Sequence, residues 1–144
     1  MKLSTVLCAV PALVFLAAAP VTAQDHVTPI APADYLAKEN PFDVEDEDED
    51  VLKAAKKIYK RKCKKCHGTD GDGKGSASED LEIKPAPFNT AGFLDEKKDG
   101  QLYWIIENGS EATEMEAYGL GTDTNLSEED MWKVITYIRS KFAE

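Results

Sequence analysis

Apolar residues fall at helical spacing in three stretches of this 144-residue chain, and no stretch alternates as a half-buried strand would. Leu52, Ala55, Ile58 and Tyr59 recur three and four apart. That spacing predicts a helix over Val51 to Lys62, with its lysines mostly on the outer face and Asp50 capping its start. Leu102, Ile105 and Ile106 share one side of a shorter predicted helix, Gln101 to Asn108, which Gly109 would end. The last pattern is the clearest. Met131, Val134, Ile135, Ile138 and Phe142 follow one helical face, and Ser127 with Asp130 makes a start resembling a capping box. With no strand pattern and no internal repeat, the expected fold class is all-α.

Upstream of the first helix the pattern changes. Lys2, the apolar run Val6 to Ala19 broken only by Pro11, and the small residues Val21-Thr22-Ala23 read as a secretory signal peptide cut after Ala23. The run falls short of the roughly 20 residues a membrane-spanning helix needs, and no later stretch is apolar enough to span. Cys8 is expected to leave with the leader. Gln24 to Asn40 holds His26, Pro29 and Pro32 but little apolar periodicity, so it reads as an exposed arm. Asp43 to Asp50 is acidic at every position except Val44 and reads as a solvated linker. The chain therefore divides into a signal peptide (1–23), an acidic flexible arm (24–50) and one folded domain (51–144).

Charge adds an asymmetry to this division. The formal net charge is −10, yet Lys53 to Lys65 holds eight Lys or Arg residues and no acid. An acidic block thus abuts a basic helix, whose lysines are either a solvated face or a docking face for an acidic partner. No nucleic-acid-binding motif accompanies them.

The end of that basic helix carries the chemistry. Cys63-Lys64-Lys65-Cys66-His67 has the C-x-x-C-H form of the peptide to which haem c is covalently attached. Thiols three apart share one side of a helical turn and can reach neighbouring vinyl groups of one porphyrin, while the adjoining imidazole points under the iron. A structural zinc site would need four Cys or His ligands, and beyond these three residues the mature chain offers only His26. A thioredoxin-like pair follows a strand and opens a helix, whereas this pair follows a helical segment. The expected cofactor is one covalently attached haem c. Because haem c is joined to protein outside the cytoplasm, a periplasmic destination agrees with the leader. Residues 51–144 make a domain small enough that a purely side-chain core is marginal, so the haem is expected to complete it. Asp70-Gly71-Asp72-Gly73 opens like a calcium loop, but Lys74 and Leu81 stand where that loop needs oxygen ligands. The glycine-rich stretch Gly68 to Gly75 reads instead as a turn around the haem edge.

A second iron ligand decides whether such a haem is closed, favouring electron transfer, or open to small molecules. Apart from Met1, the candidates are Met115, Met131 and His26. Met131 sits in the apolar stripe of the last helix, where a core role is at least as natural. His26 reads as an exposed bystander. Met115 lies in the polar segment Gly109 to Gly119 between two helices, where no amphipathic pattern asks for a methionine.

Taken together, these residues resemble the class I c-type cytochromes, and more closely the small bacterial single-haem domains found in the diheme subunit of cbb3-type oxidases. The resemblance runs from Leu52 to Phe142. It rests on Ile58-Tyr59 ahead of Cys63 to Gly68, Asp70 to Gly75, Lys84-Pro85, Leu102 to Gly109, Thr113-Glu114-Met115 and Trp132 to Arg139. It implies an all-α fold in which the first and last helices cross, with Ala55 against Tyr137 and with His67 and Met115 as the axial iron ligands. The family usually places proline after the ligand methionine; Glu116 stands there in this chain. That departure implies a looser Met115 loop and a potential towards the low side for such a pair.

The function expected from this reading is a soluble periplasmic electron carrier, monomeric and without a substrate to transform, exchanging single electrons with redox protein partners. Its basic face at Lys53 to Lys65 would dock one of them. A dedicated electron-transfer subunit of a dehydrogenase or oxidase is the alternative, and an open-haem enzyme or gas sensor is a more distant one.

Overall fold

A computed structural model describes residues 28–42 and 48–143. The leader with its cut after Ala23, His26, and the acidic run from Asp43 to Glu47 lie outside the described residues. The helices in chain order are α1 (Ala33–Leu36), α2 (Glu49–Lys62), α3 (Lys64–His67), α4 (Asp99–Asn108) and α5 (Glu128–Phe142), with one 3-10 turn at Ser78–Asp80. No strand occurs among the described residues, and none of their helices is long and apolar enough to cross a membrane.

Caps set where these helices begin. The apolar pattern of α2 starts at Val51, but the Asp48 carboxylate accepts the Asp50 N–H at 2.9 Å and draws the helix back to Glu49. Asp50, expected as the cap, therefore sits in the first turn. In α4 the first turn likewise gains Asp99, whose carboxylate pairs with Arg139 of α5. The start of α5 is as the sequence predicts, with the Ser127 hydroxyl accepting the Asp130 N–H at 3.1 Å.

Packing follows the three apolar faces. α2 lies against α5, and Ala55 on its inner face is 0% exposed. One turn on, the Tyr59 ring stands 5.3 Å from Tyr137 and 5.4 Å from Phe142. α4 lies against α5 beside it, with Tyr103 stacked on Trp132 at 4.3 Å. Arg139 also donates to the carbonyls of Leu94 and Lys97, fastening the approach to α4 onto α5. The glycine-rich loop folds back on α3: Gly73, Gly75 and Ala77 donate to the carbonyls of His67, Cys66 and Lys65 at 3.1, 3.0 and 2.9 Å.

One expectation is corrected. Residues 28–42, read as part of a flexible arm, form a strap that contains α1 and docks on α4 and then α5. Ala31 is buried, Tyr35 and Phe42 pack on the core, and the Asn40 side-chain amide donates to the Thr136 hydroxyl at 3.0 Å. The strap is held by single polar contacts and two well-separated aromatic rings, so it carries no apolar periodicity to read.

Because Ala55 is fully buried on the face of α2 that packs on α5, Ala55→Leu is expected to destabilise the domain by about 1–3 kcal/mol through overpacking. Lys56→Ala, on the exposed neighbour, should change stability by less than about 0.5 kcal/mol. Urea titrations of the two variants beside wild type check both values.

Candidate functional site

The end of α2 at Lys62, Ile138 of α5 and the inner face of α4 line a cleft that opens to solvent. Its walls are mainly apolar, from Leu102, Ile105 and Ile106 of α4, Ile138 of α5, and Phe88 and Phe93 of the connecting loop. A lining of that kind suits a large organic ligand.

α2 delivers the attachment peptide to this cleft. Cys63 stands at the junction of α2 and α3, and its carbonyl accepts from both the Cys66 and His67 N–H groups, at 3.1 and 2.9 Å. The resulting turn places Cys63, Cys66 and His67 all in the cleft wall. The Tyr59 hydroxyl donates to the Gly68 carbonyl at 2.9 Å and so ties the end of that turn back to the core. No disulfide joins Cys63 and Cys66. Burial, reinforced by the nearby Cys66, pushes the Cys63 thiol up to about 12. A thiol so strongly protonated at neutral pH is a poor member of a redox pair.

His67 has the environment of a ligand. Its ring stacks on Phe88 with centroids 4.5 Å apart and planes 13° from parallel. Burial lowers the imidazole to about 4, against a smaller opposing pull from the Ala86 backbone, so the ring is neutral at pH 7. Its Nδ1 is buried and has no hydrogen-bond partner. A neutral, desolvated imidazole in the wall of an apolar cleft fits metal coordination.

Of the other ligand candidates among the described residues, Met115 and Met131, the structure brings Met115 to the cleft. Met131 is 1% exposed within the helix core and does not line the cleft, and His26 lies outside the described residues. The Met115 loop is a set of short local bonds. The Met115 N–H donates to the Thr113 hydroxyl at 3.1 Å, that hydroxyl donates to the Ser110 carbonyl at 2.8 Å, and the Ser110 N–H returns to the Met115 carbonyl at 3.0 Å. Gly109, the predicted end of α4, has φ 77° and ψ −169°, a region essentially restricted to glycine. A Cβ there would also stand 2.6 Å from the Met115 carbonyl oxygen. Glu116 is exposed, yet besides burial its charge is among the causes that raise the Tyr118 hydroxyl in the cleft wall.

Three participants escaped the sequence reading. Phe88 sits in irregular chain between helices, Tyr118 in a polar loop, and Thr28 in the strap, yet all three line the cleft. Tyr118 joins the two sides of the site, its hydroxyl donating to the Lys62 carbonyl at 3.1 Å. Of the basic residues between 53 and 65, Lys62 lines the cleft and the others are exposed. Among the described residues no group of three His, Cys, Asp or Glu side chains is placed to hold a metal ion.

The family model described as cytochrome c matches residues 52–141, the stretch from α2 through α5 that builds the cleft. This chain belongs to the cytochrome c family. Among solved structures, this cytochrome is similar to a chain of the Kuenenia stuttgartiensis reducing HAO-like protein complex Kustc0457/Kustc0458, at 30% identity and a TM-score of 0.56. The match covers 67% of this cytochrome and 46% of that chain, so the matched part is less than half of the neighbour. No curated protein matches. Family membership implies covalently bound haem c and haem-based electron transfer. The paired thiols, the neutral imidazole and the apolar walls fit that group.

Gly109→Ala combines a strained backbone with a collision and is expected to cost about 1–3 kcal/mol. Gly121, at φ 87° but with nothing within 4 Å of a Cβ, carries the strain alone, so Gly121→Ala should cost about 1 kcal/mol. Thermal unfolding of the two haem-loaded variants tests that order.

Proposed function

We propose that this chain is a soluble periplasmic monohaem cytochrome c that carries single electrons between redox enzymes. Cys63 and Cys66 hold the haem through thioether bonds, and His67 and Met115 are the axial ligands of its iron. The bound haem supplies a one-electron Fe(II)/Fe(III) couple. The observation that carries this reading is the convergence of Cys63, Cys66 and His67, from one helical turn, with Met115, from a separate loop, on the wall of a single cleft.

The chain's own residues account for what a carrier needs. Phe88 fixes the plane of the His67 ring. Ser110, Thr113 and Gly109 fix the backbone at Met115, and the apolar walls limit the water that would reorganise when charge changes. The exposed lysines of α2 and α3 lie beside the attachment turn, where a positive face favours encounter with an acidic partner.

A dedicated subunit is the second reading, favoured by the similarity to a chain of a protein complex. A free carrier purifies alone as a monomer; a subunit co-purifies with its enzyme. An enzyme or gas sensor with open iron fits less well, because Met115 is at the cleft.

Export predicts a mature N-terminus at Gln24, read by mass spectrometry of the periplasmic fraction. The ferric wild type is expected to show a methionine-to-iron charge-transfer band and the ferrous form to leave carbon monoxide unbound. Met115→Ala should lose the band and bind carbon monoxide. A wild type without the band that binds carbon monoxide readily would replace the carrier with an open-iron protein.

A further inference from the structure

The strap of residues 28–42 is fastened to α4 at both ends of that helix. Near its start, Gln101 grips the strap backbone with both side-chain atoms: its Oε1 accepts the Ala31 N–H at 2.8 Å and its Nε2 donates to the Pro29 carbonyl at 2.7 Å. Beside it, any Cβ on Gly100 would collide with the Tyr35 carbonyl, so strap and helix meet backbone to backbone. Two turns on, the Tyr35 hydroxyl donates to the Glu107 carboxylate at 2.6 Å.

Glu107 is also where the Met115 loop returns to the helix. Its carbonyl accepts the Gly119 N–H at 3.0 Å, and a Cβ on Gly119 would stand 2.8 Å from its Cγ. The carbonyl of Ile106 accepts the Tyr118 N–H at 2.9 Å, and Tyr118 lines the cleft with Met115. The closing end of the loop thus hangs on the last turn of α4, a place where helices fray unless something ties them. Tyr35 ties that turn from its outer side. The other end of the strap reaches the cleft itself through Thr28.

We propose that the strap is a latch for the Met115 loop, in which Tyr35 is a positioning residue that acts through Glu107 on Tyr118 and Gly119. The inference rests on Met115 being an iron ligand, as proposed above. A released strap lets the last turn of α4 open, and the loop, which lacks a proline after Met115, withdraws its methionine without the domain unfolding.

The test uses the haem-loaded full chain as wild type, Tyr35→Phe and Gln101→Ala. Three quantities are followed in the ferric protein: the methionine charge-transfer band against temperature, the far-ultraviolet helix signal against temperature, and the rate of cyanide binding to iron. In wild type the two thermal signals should fall together and cyanide should bind slowly. Tyr35→Phe should bind cyanide about tenfold faster, the effect of one lost charge-assisted hydrogen bond; Gln101→Ala, which loses two neutral ones, should also bind it faster, and each variant should lose the band at temperatures where the helix signal persists. Tyr35→Phe keeps the ring and removes only the hydroxyl, so it stays informative where Gln101→Ala fails to fold. A strap with a purely structural role would lower both thermal signals together and leave the cyanide rate unchanged, which overturns the latch. A wild type without the charge-transfer band overturns the ligation reading and the latch with it.

Discussion

The contact between α2 and α5 sets the position of the peptide that carries Cys63, Cys66 and His67. Ala55 has no exposed surface at that contact, which lets the helices approach, and Tyr59 fills the next turn against Tyr137 and Phe142. Because a helix is stiff, burying one face at Ala55 and Tyr59 also fixes the direction in which its last residues point. Cys63 is therefore aimed from the core outward into the cleft, and the Tyr59 hydroxyl, by holding the Gly68 carbonyl, fixes the far end of the attachment turn. A slip between α2 and α5 would move both thiols and the imidazole together.

The same burial that builds the cleft acts on the groups in its wall. Desolvation keeps the His67 imidazole neutral, the state in which a group in an apolar wall avoids carrying charge. In a domain this small, a bound haem would serve as core as well as cofactor, so folding and haem retention are coupled. The Met115 side is built differently. It has no long helix of its own and depends on hydroxyl-to-carbonyl bonds, on a glycine in a conformation other residues resist, and on the last turn of α4.

The strap shows how a segment without a hydrophobic pattern can still be ordered. Its anchors are a glutamine that satisfies a buried N–H and a carbonyl, a tyrosine that reaches a carboxylate, and a glycine that admits close backbone contact. Such contacts gain their strength from being partly buried, where an unmade hydrogen bond is costly. None of them has a period.

The sequence by itself determined the three main helices, the all-α class and the attachment peptide, because each depends on local spacing: apolar residues every three or four positions, and two thiols and an imidazole within one turn. It also singled out Met115, through a methionine in a segment with no amphipathic reason to hold one. Helix starts shifted by two residues where caps and first-turn acids, such as Asp48 and Asp99, act outside the apolar pattern. Only the tertiary structure decided that Met115 rather than Met131 reaches the cleft, that Phe88 lies on His67, and that residues 28–42 dock instead of hanging free. Each of these depends on residues far apart in the chain meeting through shape and single hydrogen bonds, and a pattern of near neighbours holds no record of such meetings.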